Sequence, residues 1–317
     1  MEEKRCNLCN NRKSLEVYKD KNLRVVICEN CSLVYLNPGL TEEENKKYYE
    51  DEYQIKRHLI YDFYQATTRL SRKESYQNKK SQLDFFKEYL NKNSQVLEIG
   101  SGWGTLLKRI NDEVRCHITG IEMSKLGSQV ADEYYGLKIY NQSFEDYLSD
   151  GHKEKFNFII MHHVLEHFLN PKVMLKEIKK IVKDNGYLYM AMPNIFAPDE
   201  PLDRYFRTVH INYFSPLTIL NLLKKVGLKI VKFDTRITEM RMIVVKDEHS
   251  ALAVNTDSWV NDYSKKNILK IIKRQEKKYK GLRFFKKITK KILPDKIFQK
   301  IKKIVIIILR KIKIIKI

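Results

Sequence analysis

Glycine (11), proline (7), cysteine (5) and tryptophan (2) are all scarce in these 317 residues, and each scarcity removes a class of protein. So little glycine and proline excludes a collagen-like or low-complexity chain, and five cysteines cannot staple a disulfide scaffold of this length. Long apolar runs are missing too: near the end the longest uncharged stretch is Ile304 to Leu309, far below the roughly 20 residues that span a bilayer. The opening residues, Met1 to Cys6, carry no apolar leader, which predicts a cytoplasmic chain whose thiols stay reduced and available to metal. What is present is 43% hydrophobic and 31% charged side chains, enough for a buried core and incompatible with disorder throughout.

The formal charge of +21 is unevenly spread. From Ser264 to Ile317 there are 21 Lys and Arg against two acids, Glu276 and Asp295, so this stretch carries +19 and the other 263 residues +2. The body is nearly neutral and the tail is a separate electrostatic device. From Leu282 onward, Phe285, Ile288, Ile292, Ile297, Ile301 and Ile304 recur at three- to five-residue spacings among lysines, the pattern of a basic amphipathic helix. Such a helix can lie on an anionic membrane surface, where each basic group contributes about 1 kcal/mol, and predicts a peripheral position at the inner membrane face. RNA is the rival partner: lysines neutralise phosphates, but aromatic residues and arginine are sparse here.

Texture divides the chain into a cysteine-bearing head (1–40), a helical linker or cap (41–93), an alternating strand and helix body (94–246) and the basic tail (247–317). In the body, Gln95–Ile99, Cys116–Ile121, Leu137–Tyr140, Phe156–Met161 and Tyr187–Met192 read as strands. Thr105–Asn111, Ser124–Tyr135 and Asn170–Lys183 read as helices, the last with Asn170 as N-cap, Pro171 at its first position and Asp184-Asn185-Gly186 as the turn after it. Ser215-Pro216 opens another helix that stops at Gly227. Leu228–Phe233 and Met240–Val245 then follow too closely for a crossover and predict an antiparallel end to the sheet. The expected fold class is α/β: a Rossmann-like, doubly wound, seven-stranded and mostly parallel sheet, with a small N-terminal zinc-binding module and a helical basic C-terminal tail.

Between the first body strand and its helix lie Gly100, Gly102 and Gly104, where backbone can approach a ligand closely. A dinucleotide fingerprint would need its third glycine at position 105, which is Thr105. Glu98, two residues before the loop, would repel a pyrophosphate and favour a ligand carrying an ammonium and a sulfonium, which describes S-adenosylmethionine. Glu122 ends the second strand, where a carboxylate can accept from both hydroxyls of a ribose. In the head, Cys6-x-x-Cys9 and Cys28-x-x-Cys31 are spaced as tetrahedral zinc ligands, and four thiolates would leave no position for water, making the zinc structural. Cys116, alone in a predicted strand, reads as core.

The run Glu98-x-Gly100-x-Gly102-x-Gly104, then Glu122, then His163-Val164-Leu165-Glu166-His167-Phe168-Leu169-Asn170-Pro171 and Met192-Pro193-Asn194 resembles class I S-adenosylmethionine-dependent methyltransferases. The resemblance covers about residues 94 to 246. It implies that Gly100 and Gly102 hold the methionine part, Glu122 the ribose, Ser143 and Phe144 flank the adenine, and His162 and His163 border the methyl group. His162, His163 and His167 fit no standard helical metal spacing, which predicts packing and backbone roles for most of them. With its cysteine head the chain is similar to sugar and surface-glycan methyltransferases. Phe196, Tyr205, Phe206, Tyr213 and Phe214, at the carboxyl edge of the sheet, offer faces for a sugar ring. His210, in a His-x-x-x-Phe-Ser segment similar to that of sugar-modifying relatives, is the expected base, its near-neutral pKa suiting removal of a hydroxyl proton, with Tyr213 as its catalytic neighbour. The carbon-methylating relatives carry Tyr and Glu before that histidine; Thr208 and Val209 stand here, so oxygen is the expected acceptor, in a nucleotide- or lipid-linked glycan precursor. An RNA base is the alternative substrate.

Overall fold

The computed structural model describes residues 4–21, 23–47, 68–152, 154–235 and 238–292. Three short strands come first, β1 (Ser14–Lys19), β2 (Arg24–Cys28) and β3 (Val34–Leu36). The main sheet uses β4 (Gln95–Ile99), β5 (His117–Ile121), β6 (Phe156–His162), β7 (Val182–Pro193), β9 (Leu228–Thr235) and β10 (Glu239–Lys246), in the order β5-β4-β6-β7-β10-β9. β4 is parallel to β5 and β6, and β6 to β7, while β10 runs antiparallel to β7 and β9. The central strands are apolar on both faces because helices cover both. Leu97 and Ile99 enter one core cluster and Val96 the opposite one, and Ile159 and Ile160 divide in the same way.

The main sheet has six strands where the sequence predicts seven. Leu137–Tyr140 contributes a single bridge, Tyr140 opposite Ile121. Tyr140 N–H donates to the Gly120 carbonyl and Glu122 N–H to the Tyr140 carbonyl, 2.9 Å each. The Asn141 amide then binds the carbonyls of Glu122 and Met123, which turns the chain off the sheet after one residue. The expected turn at Asp184-Asn185-Gly186 lies inside β7, where pairing jumps from Phe156–Val182 to Phe158–Tyr187. The two-residue against five-residue mismatch makes it a bulge. Ser215 caps the helix Pro216–Val226 through a reciprocal pair with Thr218, and Gly227 ends it.

The head is stitched into the body. β3 pairs with β8 (Asn212–Tyr213), giving a four-stranded sheet β1-β2-β3-β8 whose last member belongs to the body. Leu36 N–H donates to the Ile211 carbonyl, the Asn7 amide to Asn212 Oδ1, and Lys225 Nζ to the Leu8 carbonyl. The long helix Lys265–Ile292 begins as core, with Ile268 and Ile272 buried in the cluster that holds Val25 and Ile27. Gln275 donates to the carbonyls of Pro198 and Glu200. The tail is therefore anchored at its start; the side chains on which the amphipathic pattern from Leu282 rests lie outside those described. Among the described residues no helix is long and apolar enough to cross a membrane.

Candidate active site

A cleft of about 1110 Å³ opens at the carboxyl ends of β4, β5, β6 and β7. Gly100 and Gly102 form one wall, both with left-handed backbone (φ +71° and +55°). A Cβ on Gly102 would meet nothing within 4 Å, so this glycine borders open space. Glu122 also lines the cleft, and its carboxylate already accepts from the N–H groups of Gly102 and Ser124, 2.7 Å each. It thus holds the loop in shape, with its remaining lone pairs left for a ribose. Ser143, N-cap of the helix Phe144–Ser149, and Phe144 line the next stretch, followed by His162 and His163.

Three expected site residues are placed differently. Gly104 opens the helix Thr105–Val114 and faces Ala131, Leu137 and Ile139, each about 3.1 to 3.2 Å from where a Cβ would sit; it serves packing and lies outside the cleft lining. Tyr213 is buried in β8, its hydroxyl accepting from Arg207 N–H and donating to the Arg207 carbonyl. Burial pushes its phenol well above the usual tyrosine range, so it stays neutral and structural. Phe206 and Phe214 are core as well, and of the five expected aromatic faces Tyr205 alone borders the cleft. Alternation along short strands and tight turns sends most of them inward.

Glu98 is the third. It is 3% exposed, outside the cleft lining, with Oε2 lacking any partner, and burial raises its pKa to about 8. It is therefore protonated near neutrality instead of standing as a carboxylate for an ammonium. A buried acid with a raised pKa leaves stability unaffected below its unfolded value and lowers it as pH rises toward the folded value. From pH 4.5 to about 8 the protein is expected to lose stability that Glu98→Gln retains, with a slope of up to about 1.4 kcal/mol per pH unit. Denaturant melts of both proteins at pH 5 and pH 8 check this; parallel profiles would refute it.

The opposite wall is a network of histidine and carboxylate. His163 sits with left-handed backbone at the end of β6 (φ +56°), its N–H bonded to the Ala191 carbonyl. Its ring lies between two acids, Nε2 2.9 Å from Glu239 and Nδ1 3.3 Å from Glu166. Burial opposes the charge, but the two carboxylates outweigh it and raise the imidazole to about 9. His162 Nε2 is 3.2 Å from the same Glu239 and also meets the Gln82 amide. Glu166, 1% exposed, is held at about 2 by His163 and its neighbouring histidines against the effect of burial. His167 and His210 meet edge to face, ring centres 4.8 Å apart, and both line the cleft. Burial, then the neighbouring His167, lowers His210 to about 3, which corrects the expectation of a near-neutral base: it is a neutral imidazole throughout the physiological range. Glu239 and Gln82 carry no local signal, because they come from segments distant from the histidine run and share no motif with it.

In the head, the sulfurs of Cys6, Cys9, Cys28 and Cys31 lie within 4.8 Å of one another, compatible with a tetrahedral zinc site. Cys116 is buried in the core cluster beside β4.

A model of the family described as methyltransferase domain matches residues 70–232. The chain belongs to this methyltransferase family. It is an S-adenosylmethionine-dependent methyltransferase of class I, on a mixed α/β fold with a six-stranded, mostly parallel sheet. An uncharacterized protein of Methanocaldococcus jannaschii is 26% identical over 160 residues, 48% of this chain and 73% of that protein. The ubiquinone biosynthesis O-methyltransferase of Pelagibacter ubique is 33% identical over 107 residues, 32% of this chain and 43% of the relative, so the match spans less than half of that enzyme. Among solved structures, the plantazolicin methyltransferase BamL has a TM-score of 0.49 at 15% identity, over 64% of this chain and 94% of that one. The methyltransferase cleft fits the cofactor: Gly102 leaves a cradle that a side chain would fill, and Glu122 keeps lone pairs at the strand end. S-adenosylmethionine supplies an electrophilic methyl group, and the protein supplies alignment and a dry, shaped cleft.

Proposed function

We propose that this methyltransferase methylates a hydroxyl oxygen of an uncharged sugar, remote from the phosphate linkage, in a lipid-linked glycan precursor. The observation that carries the reading is the union, in one cleft, of the glycine wall with a wall of His167 and His210 backed by the buried Glu166. The neutral His210 imidazole can accept a hydrogen bond from a hydroxyl. Arg207 is the one Lys or Arg among the described lining residues, and it is paired with Glu200 at 3.2 Å, whereas Glu145, Asp146, Asp199 and Glu200 are all there. A pyrophosphate would meet repulsion, which favours an uncharged sugar over a nucleotide-linked one. The 33% identical relative is an O-methyltransferase, which supports oxygen as the acceptor. Zinc in the four-cysteine cluster and the basic tail resting on an anionic membrane belong to the same reading, since a lipid-linked acceptor is presented at such a surface.

The test is transfer of labelled methyl to lysate fractions of lipid-linked glycans, nucleotide sugars and RNA, with and without anionic vesicles. An acid-stable methyl ether in the lipid fraction, enhanced by vesicles, is the expected product; label in RNA would overturn the reading. His210→Ala is expected to lower kcat about 100-fold or more while S-adenosylmethionine affinity stays within about threefold. Unchanged turnover would remove this wall from the acceptor site.

A further inference from the structure

Two groups of ligating side chains face each other across His163, and their chemistry differs. In the first, His162, His163 and Glu239, the ring nitrogens are already spent: both Nε2 atoms bind Glu239, and His162 also meets Gln82. The second is Glu166, His167 and His210, whose ligand atoms lie within 4.8 Å of one another. Glu166 is nearly inaccessible, and neither of its carboxylate oxygens has a partner in hydrogen-bond geometry; its ion pair with His163 reaches Oε1 alone, at 3.3 Å. A buried carboxylate without hydrogen bonds is costly unless something else satisfies it.

We infer that Glu166, His167 and His210 bind a first-row divalent cation, which holds the acceptor hydroxyl against the methyl group. Two imidazoles and one carboxylate form a donor set suited to such ions, with metal bonds of about 2.0 to 2.2 Å and ligand atoms about 3.4 Å apart in tetrahedral geometry. The three ligand atoms already lie within 4.8 Å of one another, and both rings are partly exposed. Glu166 and His167 come from the short helical turn Leu165–His167 after β6, and His210 from the segment leading into β8, so the ion would tie the two edges of the cleft together. Glu166 is backed by His163, a second-layer partner of the kind that orients metal ligands. The remaining coordination positions face the cleft, where His167 and His210 are both exposed to it.

The inference rests on the O-methylation reading for its chemistry. The cation lowers the pKa of the hydroxyl, whose proton leaves to solvent; the O–C bond forms as the sulfonium S–C bond breaks, and the cofactor departs as a neutral thioether. His210 is then a ligand and not the proton acceptor.

Mn2+ is the probe, because it is a hard ion that leaves a four-thiolate zinc site undisturbed. Titration of the full chain, zinc-loaded, followed by loss of the free-ion EPR signal, is expected to show one bound Mn2+ per chain. Glu166→Gln and His210→Gln are each expected to weaken it at least about tenfold, with S-adenosylmethionine affinity as the readout of folding. Should Glu166→Gln fail to fold, His167→Ala, at a partly exposed position, replaces it. Absence of bound Mn2+, or equal binding in wild type and the folded variants, overturns the site. The two readings separate cleanly: Mn2+ bound by an enzyme whose product is not an O-methyl ether sinks the substrate reading alone, and O-methylation without Mn2+ binding sinks the metal site alone.

Discussion

Gly102→Arg is expected to fold and to bind S-adenosylmethionine at least about 100-fold more weakly than wild type, a change of about 2.7 kcal/mol. The backbone there is left-handed (φ +55°), which strains an L side chain by roughly 1 to 2 kcal/mol. The new Cβ meets no protein atom within 4 Å, so nothing clashes in the protein itself. The arginine instead fills the space beside Gly100 and Glu122, and it brings a positive charge to where a sulfonium and an ammonium must sit. Calorimetric titration, with a thermal melt as control, measures both halves of the expectation. Equal affinity in the two proteins would mean that the cofactor lies elsewhere and that the glycine loop is only a turn.

Cys28→Ser is expected to abolish most turnover while leaving cofactor affinity within about threefold. A structural zinc contributes about 10 to 16 kcal/mol to the fold of a small domain, so the head would lose its main source of order. That loss does not stay in the head. β3 is paired with β8, the Asn7 amide reaches Asn212, and His210 stands two residues before β8. When β3 goes, the cleft wall that carries His210 goes with it, and displacement of such a wall by about 1 Å is enough for a loss on the order of 100-fold. The glycine loop hangs instead on β4 and β5, which pair with each other along their whole length, and Val96 of β4 packs in a second core cluster that holds none of the four head cysteines. Zinc content, kcat and calorimetric affinity measured on one preparation of the variant decide the matter: full turnover in zinc-free Cys28→Ser would show that the cluster does not support the site.

Much of the architecture was legible in local pattern. Gln95–Ile99 is a strand to the residue, since a short apolar run bounded by turn formers has one stable use in an α/β sheet. Asn170 accepts the backbone N–H expected of an N-cap, and the structure adds Ser124 and Ser215 as caps of the helices they open. Leu137–Tyr140 looked equally apolar but had too few backbone partners to form a strand, because the Asn141 side chain diverts the chain. The aromatic residues after β7 misled for a related reason: an aromatic side chain reads the same from sequence whether it faces a ligand or the core, and packing against the head sheet took most of them inward.

The amino-acid order by itself settled the class of sheet, the glycine loop at its first crossover, the two cysteine pairs and the concentration of charge in the tail, because each depends on residues within a few positions of one another. The tertiary structure alone decided that Glu98 is a buried, protonated acid, that β8 joins the head to the body, and that Glu166, His167, His210, His163 and Glu239 meet in one wall. Those properties arise from burial and from contacts between distant segments, and a pKa or a donor set is fixed by what surrounds a group in space.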